Sequence, residues 1–225
     1  VSRGMPADVK LELIKSFDIP NQINNLIQSN PNDVISIAAA SLIDHAGEEV
    51  IKTPDADSYF NLALKFLAHP KTDISVIVFP FLILLCKYNK LTSPIILMKA
   101  IERLSLFVGI EIGESFDEVN TSYLDQISRL IHFALKADPD KNYGELLNAW
   151  NNETSILGTN PNLAVSIIFA VGNSITSGEK SPQKQQFISD FIVKFSVILQ
   201  AQPPINKVFS FGIIQFLNFF IVVYN

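Results

Sequence analysis

Residues 53–89 read TPDADSYFNLALKFLAHPKTDISVIVFPFLILLCKYN and contain the pattern that decides the fold. The pair Thr53-Pro54 is typical of a helix start, because a threonine oxygen can cap the first turn and proline is tolerated at the first helical position. The apolar residues that follow recur at the spacing of one helix face: Tyr59, Leu62, Ala63, Phe66 and Leu67. The stretch therefore predicts an amphipathic helix that begins at this pair.

A second helix follows after a short break. The pair His69-Pro70 ends the first helix, because the residue before a proline is disfavoured in helical backbone. Thr72 or Asp73 can cap the next helix, which the apolar run extends to about Asn89. Pro80 lies inside this second helix, and we expect a kink there because an internal proline removes a backbone hydrogen bond.

The same succession of helix, break and helix recurs along the chain, without the alternation that is typical of strands. Alternate helix starts fall near residues 33, 73, 121, 160 and 203, which is a period of roughly 40–48 residues. HEAT and armadillo repeats place two or three helices in about 40–47 residues. The sequence therefore predicts an all-α fold, an α-α superhelix of the HEAT/armadillo-like solenoid type with about five helix pairs over residues 1–225. An ordinary helical bundle is the alternative architecture.

Composition favours a well-packed chain over a nucleic-acid-binding domain that works by itself. Hydrophobic residues make up 48% of the chain and charged residues only 17%, as expected where helices pack on two sides. The net charge is −5, whereas a self-sufficient nucleic-acid binder is expected to be basic. A negative chain can still contribute a few phosphate contacts to a larger site.

Two apolar stretches resemble membrane spans but are short for that role. Residues 74–86 are almost all apolar over about 13 residues, and residues 208–224 carry no charge over about 17, whereas a span needs about 20. We interpret both as buried repeat helices and expect no membrane insertion. The single cysteine, Cys86, lies in the first stretch and cannot form an internal disulfide.

The sequence contains no pattern that predicts catalysis. His45, His69 and His132 are far apart and lack acidic or cysteine partners at the spacing of metal ligands. No Gly-x-Ser-x-Gly nucleophile motif or phosphate-binding Gly-x-x-x-x-Gly-Lys loop is found, and Gly178-Glu179-Lys180 is a chance likeness to the latter. We therefore expect no enzyme activity, no catalytic or metal site, no cofactor and no small-molecule substrate.

Three features are candidates for binding. The first is an acidic connection between helices, comprising Glu111, Glu114, Asp117 and Glu118, for which a solvated loop is the simpler interpretation. The second is a set of cations near helix ends, where cations complement the helix dipole: Lys87, Lys90, Lys99, Arg103, Arg129, Lys136 and Lys141. The third is the abundance of phenylalanine, which at helical spacing indicates core packing.

Several segments resemble the tRNA-exportin (exportin-T) family of the importin-β, or karyopherin, superfamily. The resemblance is strongest over residues 3–90 and weaker through residues 162–165 and the last phenylalanine-rich helix. Its strongest segments are Arg3-Gly4-Met5-Pro6 with residues 8–14, Asp33-Val34-Ile35-Ser36 with residues 41–43 and Gly47, and Phe66-Leu67-Ala68-His69-Pro70 with residues 73–75 and 80–82. We expect residues 1–225 to be the central HEAT-repeat segment of a longer chain of this family.

The resemblance implies a nuclear export receptor that binds tRNA together with Ran-GTP and carries it past nuclear pore proteins. Such a receptor shuttles between nucleus and cytoplasm and has no catalytic step of its own. Related receptors touch Ran through acidic loops, which makes Glu111, Glu114, Asp117 and Glu118 the candidate Ran-facing residues. The loop is shorter here than in the family, and no tRNA-contacting residue can be transferred to an individual position.

Two other functions remain open at the level of sequence. The chain can be a different HEAT or armadillo scaffold, or another karyopherin, that binds only protein partners. It can also be a helical enzyme domain or a membrane-associated bundle, which a clustered polar site or partition into detergent would indicate.

Overall fold

The computed structural model describes residues 4–29, 31–109, 118–151, 171, 172, 174, 181–200, 214, 217 and 221. Within these residues the chain forms helices joined by turns, and no strand is present. The all-α class predicted from the periodicity is therefore confirmed. The chain divides into two compact units, Val1–Asn89 and Lys90–Asn225, and each is described by itself.

Unit 1 is organised around one long helix. Its helices are α1 Ala7–Ser16, α2 Ile19–Ser29, α3 Asp33–Ile51, α4 Ala56–Leu67, α5 Thr72–Ser75, a 3-10 turn Val76–Val78 and α6 Phe79–Tyr88. Helix α3 contacts every other helix of this unit. Its buried positions are small or branched, with Ala39, Ala40 and Ile43 almost fully covered, which lets neighbouring helices approach closely.

Unit 2 contains the longer helices. They are a 3-10 turn Lys90–Thr92, α7 Ser93–Gly109, α8 Glu118–Ala137, α9 Pro139–Asn151 and α10 Pro182–Gln200. Helix α7 packs on α8 and α9, and α9 packs on α10. An aromatic cluster joins the last two helices, with ring centroids 5.0 Å apart between Trp150 and Phe191 and 5.9 Å apart between Tyr143 and Phe187. Such contacts add to the stabilisation from burial alone.

Side-chain caps lie at the starts of two helices, and one of these is the start predicted near residue 33. Helix α3 begins at Asp33, and the Asn32 side chain accepts a hydrogen bond from the Ile35 amide at 2.9 Å. Helix α10 begins at Pro182, with the Ser181 oxygen accepting from the Lys184 amide at 3.0 Å. Both are N-cap bonds, which satisfy amides that have no partner within the helix.

The prediction of a helix start at Thr53-Pro54 is wrong by two residues. Helix α4 begins at Ala56, after a turn that contains both residues of the pair. The Thr53 hydroxyl donates to the Val50 carbonyl at 2.8 Å, so it closes the end of α3 instead of capping α4. A threonine between two helices can serve either end, and the sequence pattern does not distinguish them.

The predicted kink at Pro80 takes the form of a 3-10 turn just before it, at Val76–Val78. The segment forms α5, the 3-10 turn and α6 as three short pieces, and Pro80 is the second residue of α6. Amides in the first turn of an α-helix have no hydrogen-bond partner within that helix. Proline at the second residue of α6 is therefore tolerated. The apolar residues of the segment nevertheless form core as expected: Ile74, Val78, Phe79, Phe81, Leu82, Leu85 and Cys86 are buried.

The lone cysteine belongs to this core and is a free thiol. Burial raises the pKa of Cys86 to about 12, so the thiolate form is suppressed at neutral pH. In the described part of the chain, no helix combines the length and the apolar character that crossing a membrane requires.

The helix starts of the described residues keep the predicted spacing. Helices α3, α5 and α8 begin at residues 33, 72 and 118, roughly 40 and 46 residues apart, close to the period of HEAT repeats. The starts predicted near residues 160 and 203 lie outside the described residues.

A fully buried side-chain amide connects three helices of unit 2. The Asn142 amide group donates to the Ala134 carbonyl at 2.6 Å, near the end of α8, and to the Ser93 hydroxyl at 2.9 Å, at the start of α7. Ser93 in turn donates to the Lys90 carbonyl at 2.8 Å. Asn142 itself belongs to the first turns of α9, so one residue fixes the ends of α7 and α8 relative to α9.

We expect Asn142→Leu to lower the free energy of unfolding by about 2–3 kcal/mol, because it leaves the buried Ala134 carbonyl and Ser93 hydroxyl without their donor. Chemical denaturation with urea measures this change. Asn148 is exposed on the same helix, so Asn148→Leu should stay within about 0.5 kcal/mol of the wild type. Equal losses in both variants would contradict the role assigned to Asn142.

Helix α3 is kinked at Gly47, whose backbone (φ 58°, ψ −146°) lies in a region that side chains with a Cβ rarely adopt. We expect Gly47→Ala to destabilise the protein by about 1–3 kcal/mol, because the backbone is strained and the added carbon would lie 3.3 Å from a Glu49 oxygen. The matched control is Gly144→Ala in α9, where the added carbon meets only the Gln183 side chain at 3.6 Å. That variant should gain up to about 1 kcal/mol from helix propensity, and thermal unfolding followed by circular dichroism compares the two.

Candidate functional site

The acidic connection lies outside the described residues. Glu111, Glu114 and Asp117 fall in the undescribed range 110–117, and Glu118 is the first residue of α8, with a side chain that is not described. The predicted Ran-facing role of these four residues stays a prediction.

The cations that are predicted to lie near helix ends occupy different environments. Lys99 forms an ion pair with Glu102 one turn later on α7, at 2.6 Å. Arg103 is buried, with only 4% of its surface exposed, and its guanidinium lies 5.8 Å from the Tyr123 ring centroid. Lys87 lies in the last turn of α6, as the helix-dipole interpretation predicts. These three residues therefore have local structural roles.

Arg129 and Lys136 belong to a different arrangement. They lie seven residues apart on α8, and His132 and Phe133 lie between them on the same side of the helix. The Arg129 guanidinium is 6.0 Å from the Phe133 ring centroid, and the His132 ring meets Phe133 edge-on at 5.5 Å. Arg129 and Lys136 are exposed, whereas His132 and Phe133 are half-buried. We call these four residues the α8 cationic face.

A third cation lies close to this face and comes from another helix. Lys184, in the first turns of α10, is 7% exposed, with its ammonium 6.0 Å from the Tyr143 ring centroid. Burial lowers the pKa of Lys184. The pKa of His132 is also lowered, by burial first and then by the charges of Lys136 and Lys184. Histidine 132 is therefore mainly neutral at pH 7, in a positive local field.

His132 is held in place by a distant residue. Its Nδ1 lies 2.7 Å from the Ser174 hydroxyl, 42 residues along the chain, and Ser174 is buried. A serine–histidine pair resembles a nucleophile and its base, but a catalytic pair needs a third group that orients the base. Among the described residues, no carboxylate is hydrogen-bonded to His132, and its charged neighbours are lysines. The contact with Ser174 fixes the orientation of the ring on the α8 cationic face.

Among the described residues, Lys10, Lys71 and Lys99 are paired with carboxylates, whereas the exposed cations of the α8 cationic face are not. In unit 1, Lys10 pairs with Glu49 at 3.1 Å and Lys71 pairs with Asp33. Within the described part of the chain, Arg129 and Lys136 form no ion pair, although Asp125 lies one turn before Arg129 on the same side of α8. The face thus presents two exposed positive charges that can attract an anionic group.

Unit 1 contains a cleft of about 390 Å³ between α2, α3 and α4. Three of its polar side chains already have hydrogen-bond partners: Lys65 donates to Asn24 at 2.9 Å, and Asn32 caps α3. His69, at its rim, accepts a hydrogen bond from the Lys71 amide at 3.1 Å and so stabilises the turn after α4. The described residues contain no group of histidine, cysteine and acidic side chains that could hold a metal ion.

Comparisons with models of known protein families, with curated protein sequences and with solved structures found no match to this chain. The assignment of a site therefore depends on the residues and their geometry.

The sequence pattern predicts that Arg129 and Lys136 are cations near helix ends. The spacing of residues 129, 132, 133 and 136 is the signal that places them on one side of a helix. Lys136 does lie in the last turn of α8, whereas Arg129 lies two turns earlier. The contributions of Lys184 and Ser174 depend on contacts between distant parts of the chain, and no local pattern indicates them.

We expect the His132 imidazole to titrate below 6.5, the ordinary histidine value, because burial and the two lysines disfavour its protonation. Since the unfolded chain takes up the proton first, this group should reduce stability as the pH falls below about 7, and the loss should level off below the folded pKa. Proton NMR of the histidine rings measures the midpoint, and His132→Gln identifies the signal by removing it. A midpoint at or above 6.5 would contradict the described environment.

Proposed function

We propose that this chain is part of a HEAT-type scaffold that binds macromolecules, and that it serves as a nuclear export receptor for tRNA. The observation that carries the scaffold assignment is the spacing of α3, α5 and α8, whose starts lie roughly 40 and 46 residues apart. Stacked helix pairs of this period present long surfaces, which suit binding to large partners.

The identity of the partners rests on the resemblance to tRNA exportins over residues 3–90. On this basis the proposed partners are tRNA, Ran-GTP and nuclear pore proteins, and the protein shuttles between nucleus and cytoplasm. The net charge of −5 is compatible with this function, because phosphate contacts are summed over a whole receptor. No catalytic step belongs to the proposal.

A scaffold or karyopherin that binds only proteins is the second candidate. The excess of acidic residues favours it, since 22 acidic residues face 17 basic ones. An acidic surface suits a basic protein partner such as Ran without requiring RNA. The two candidates differ in whether RNA is bound at all.

The deciding experiment is a pull-down of the full-length protein with a tRNA pool and Ran locked in its GTP state. We expect tRNA and Ran-GTP to be retained together, each improving the retention of the other, because coupling between two binding sites is reciprocal. Retention of tRNA should weaken steeply as salt is raised, as phosphate contacts do.

Ran in its GDP state is the control for this experiment and should not support tRNA retention. If Ran-GTP is retained but tRNA is not, the protein-only scaffold is the correct function. If tRNA is retained equally with and without Ran-GTP, the protein is not an export receptor of this family.

A further inference from the structure

The α8 cationic face has the dimensions of a contact with several phosphate groups. Arg129 and Lys136 are seven residues apart on one helix, which is roughly 10 Å along its axis. One strand of a DNA duplex carries a charge every 3.4 Å or so along its axis, which sets the scale of phosphate spacing. Two cations at this distance can therefore contact phosphates about three nucleotides apart.

The electrostatics of this face favour an anionic partner over local charge pairing. Both exposed cations lack an ion-pair partner among the described residues, and Lys184 adds a third positive charge from α10. Lys136 and Lys184 both act on the same half-buried ring, His132. Repulsion among them is relieved when phosphates bind and mobile counterions are released.

The aromatic residue of the face, Phe133, already contacts two neighbours on α8. Phe133 is half-buried, with the His132 ring against it edge-on at 5.5 Å and the Arg129 guanidinium 6.0 Å from its centroid. A stacking platform requires an open ring face, and the partial burial and these two contacts leave less of the Phe133 ring open. Contacts to phosphates, which carry no sequence information, remain.

We propose that the α8 cationic face binds the phosphate backbone of RNA, with Arg129 and Lys136 as the contacting cations, and that it does not read bases. This proposal rests on the proposed function only in taking RNA as the polymer. His132 is a positioning residue, because Ser174 holds its ring at 2.7 Å and its edge supports Phe133 beneath Arg129.

The experiment compares two double variants of the full-length protein that change the net charge equally. The test variant is Arg129→Gln with Lys136→Gln. The control variant is Lys65→Gln with Lys99→Gln, which removes two exposed cations that already bind Asn24 and Glu102. Binding of a labelled tRNA pool and of a labelled single-stranded RNA with scrambled sequence is measured by fluorescence anisotropy at several salt concentrations, with and without Ran-GTP.

We expect the test variant to bind both RNAs roughly tenfold more weakly at low salt, by the same factor for each sequence. The slope of log affinity against log salt concentration should fall by about 2, or about 1 for each lost phosphate contact. The control variant should keep the slope of the wild type. A loss of folding would be recognised because circular dichroism and Ran-GTP retention would change together with RNA binding.

A second measurement distinguishes direct contact from a general charge effect. Phosphate bound beside His132 should raise the midpoint of its NMR titration when RNA is added to the wild type, because a nearby anion favours the protonated ring. The charged groups around the ring are Lys136 on α8 and Lys184 on α10. The midpoint should not move with RNA in the test variant.

Several outcomes would overturn the proposal: no RNA binding by the wild type, an unchanged salt slope in the test variant, equal losses in both double variants, or a loss that depends on base sequence. Loss of Ran-GTP retention alone would assign the face to a protein partner.

If RNA binding depends on the face but not on Ran-GTP, this proposal stands and the export function fails. If RNA and Ran-GTP bind cooperatively and the test variant behaves as the wild type, the export function stands and this proposal fails.

Discussion

The geometry of unit 2 depends on the hydrogen bonds of one buried amide. Helix ends leave backbone carbonyl groups without partners. Burying such a carbonyl without a hydrogen bond destabilises the folded state. Asn142 satisfies the Ala134 carbonyl and at the same time binds Ser93, so the end of α8 is fixed relative to α7 and α9. Since Lys136 lies just beyond Ala134 on α8, the amide also fixes where the α8 cationic face ends.

Unit 1 contains a similar hydrogen bond from a buried side chain to a carbonyl at a helix end, with a smaller side chain as the donor. Ser75, fully buried in α5, donates to the Leu67 carbonyl at the end of α4 at 2.9 Å, and the two residues are eight positions apart, as Asn142 and Ala134 are. In each case a polar side chain of one helix donates to a carbonyl near the end of the helix before it. Tight junctions of this kind let apolar faces meet without leaving buried carbonyl groups unpaired.

Local chemistry explains which parts of the fold could be predicted from the sequence. The helix start at Asp33 is predicted correctly because its cap, Asn32, acts within three residues, as the Ser181 cap of α10 also does. The start predicted at Thr53-Pro54 is wrong because the Thr53 hydroxyl donates to a carbonyl of the preceding helix, α3. Packing decides which of two neighbouring helix ends such a hydroxyl serves. At the candidate site, helical spacing reveals the alignment of Arg129 with Lys136. The approach of Ser174 and Lys184 to His132 arises only when distant segments of the chain pack together.

The left-handed backbone at Gly47 also has a consequence for the gene. Every missense change at a glycine codon introduces a residue with a Cβ, and the backbone at position 47 strains all of them. A neighbouring surface position such as Glu48 tolerates many replacements, whereas codon 47 tolerates only synonymous ones without a loss of stability. Purifying selection on this codon should therefore be stronger than on the exposed codons around it, although residue 47 takes no part in either proposed binding surface.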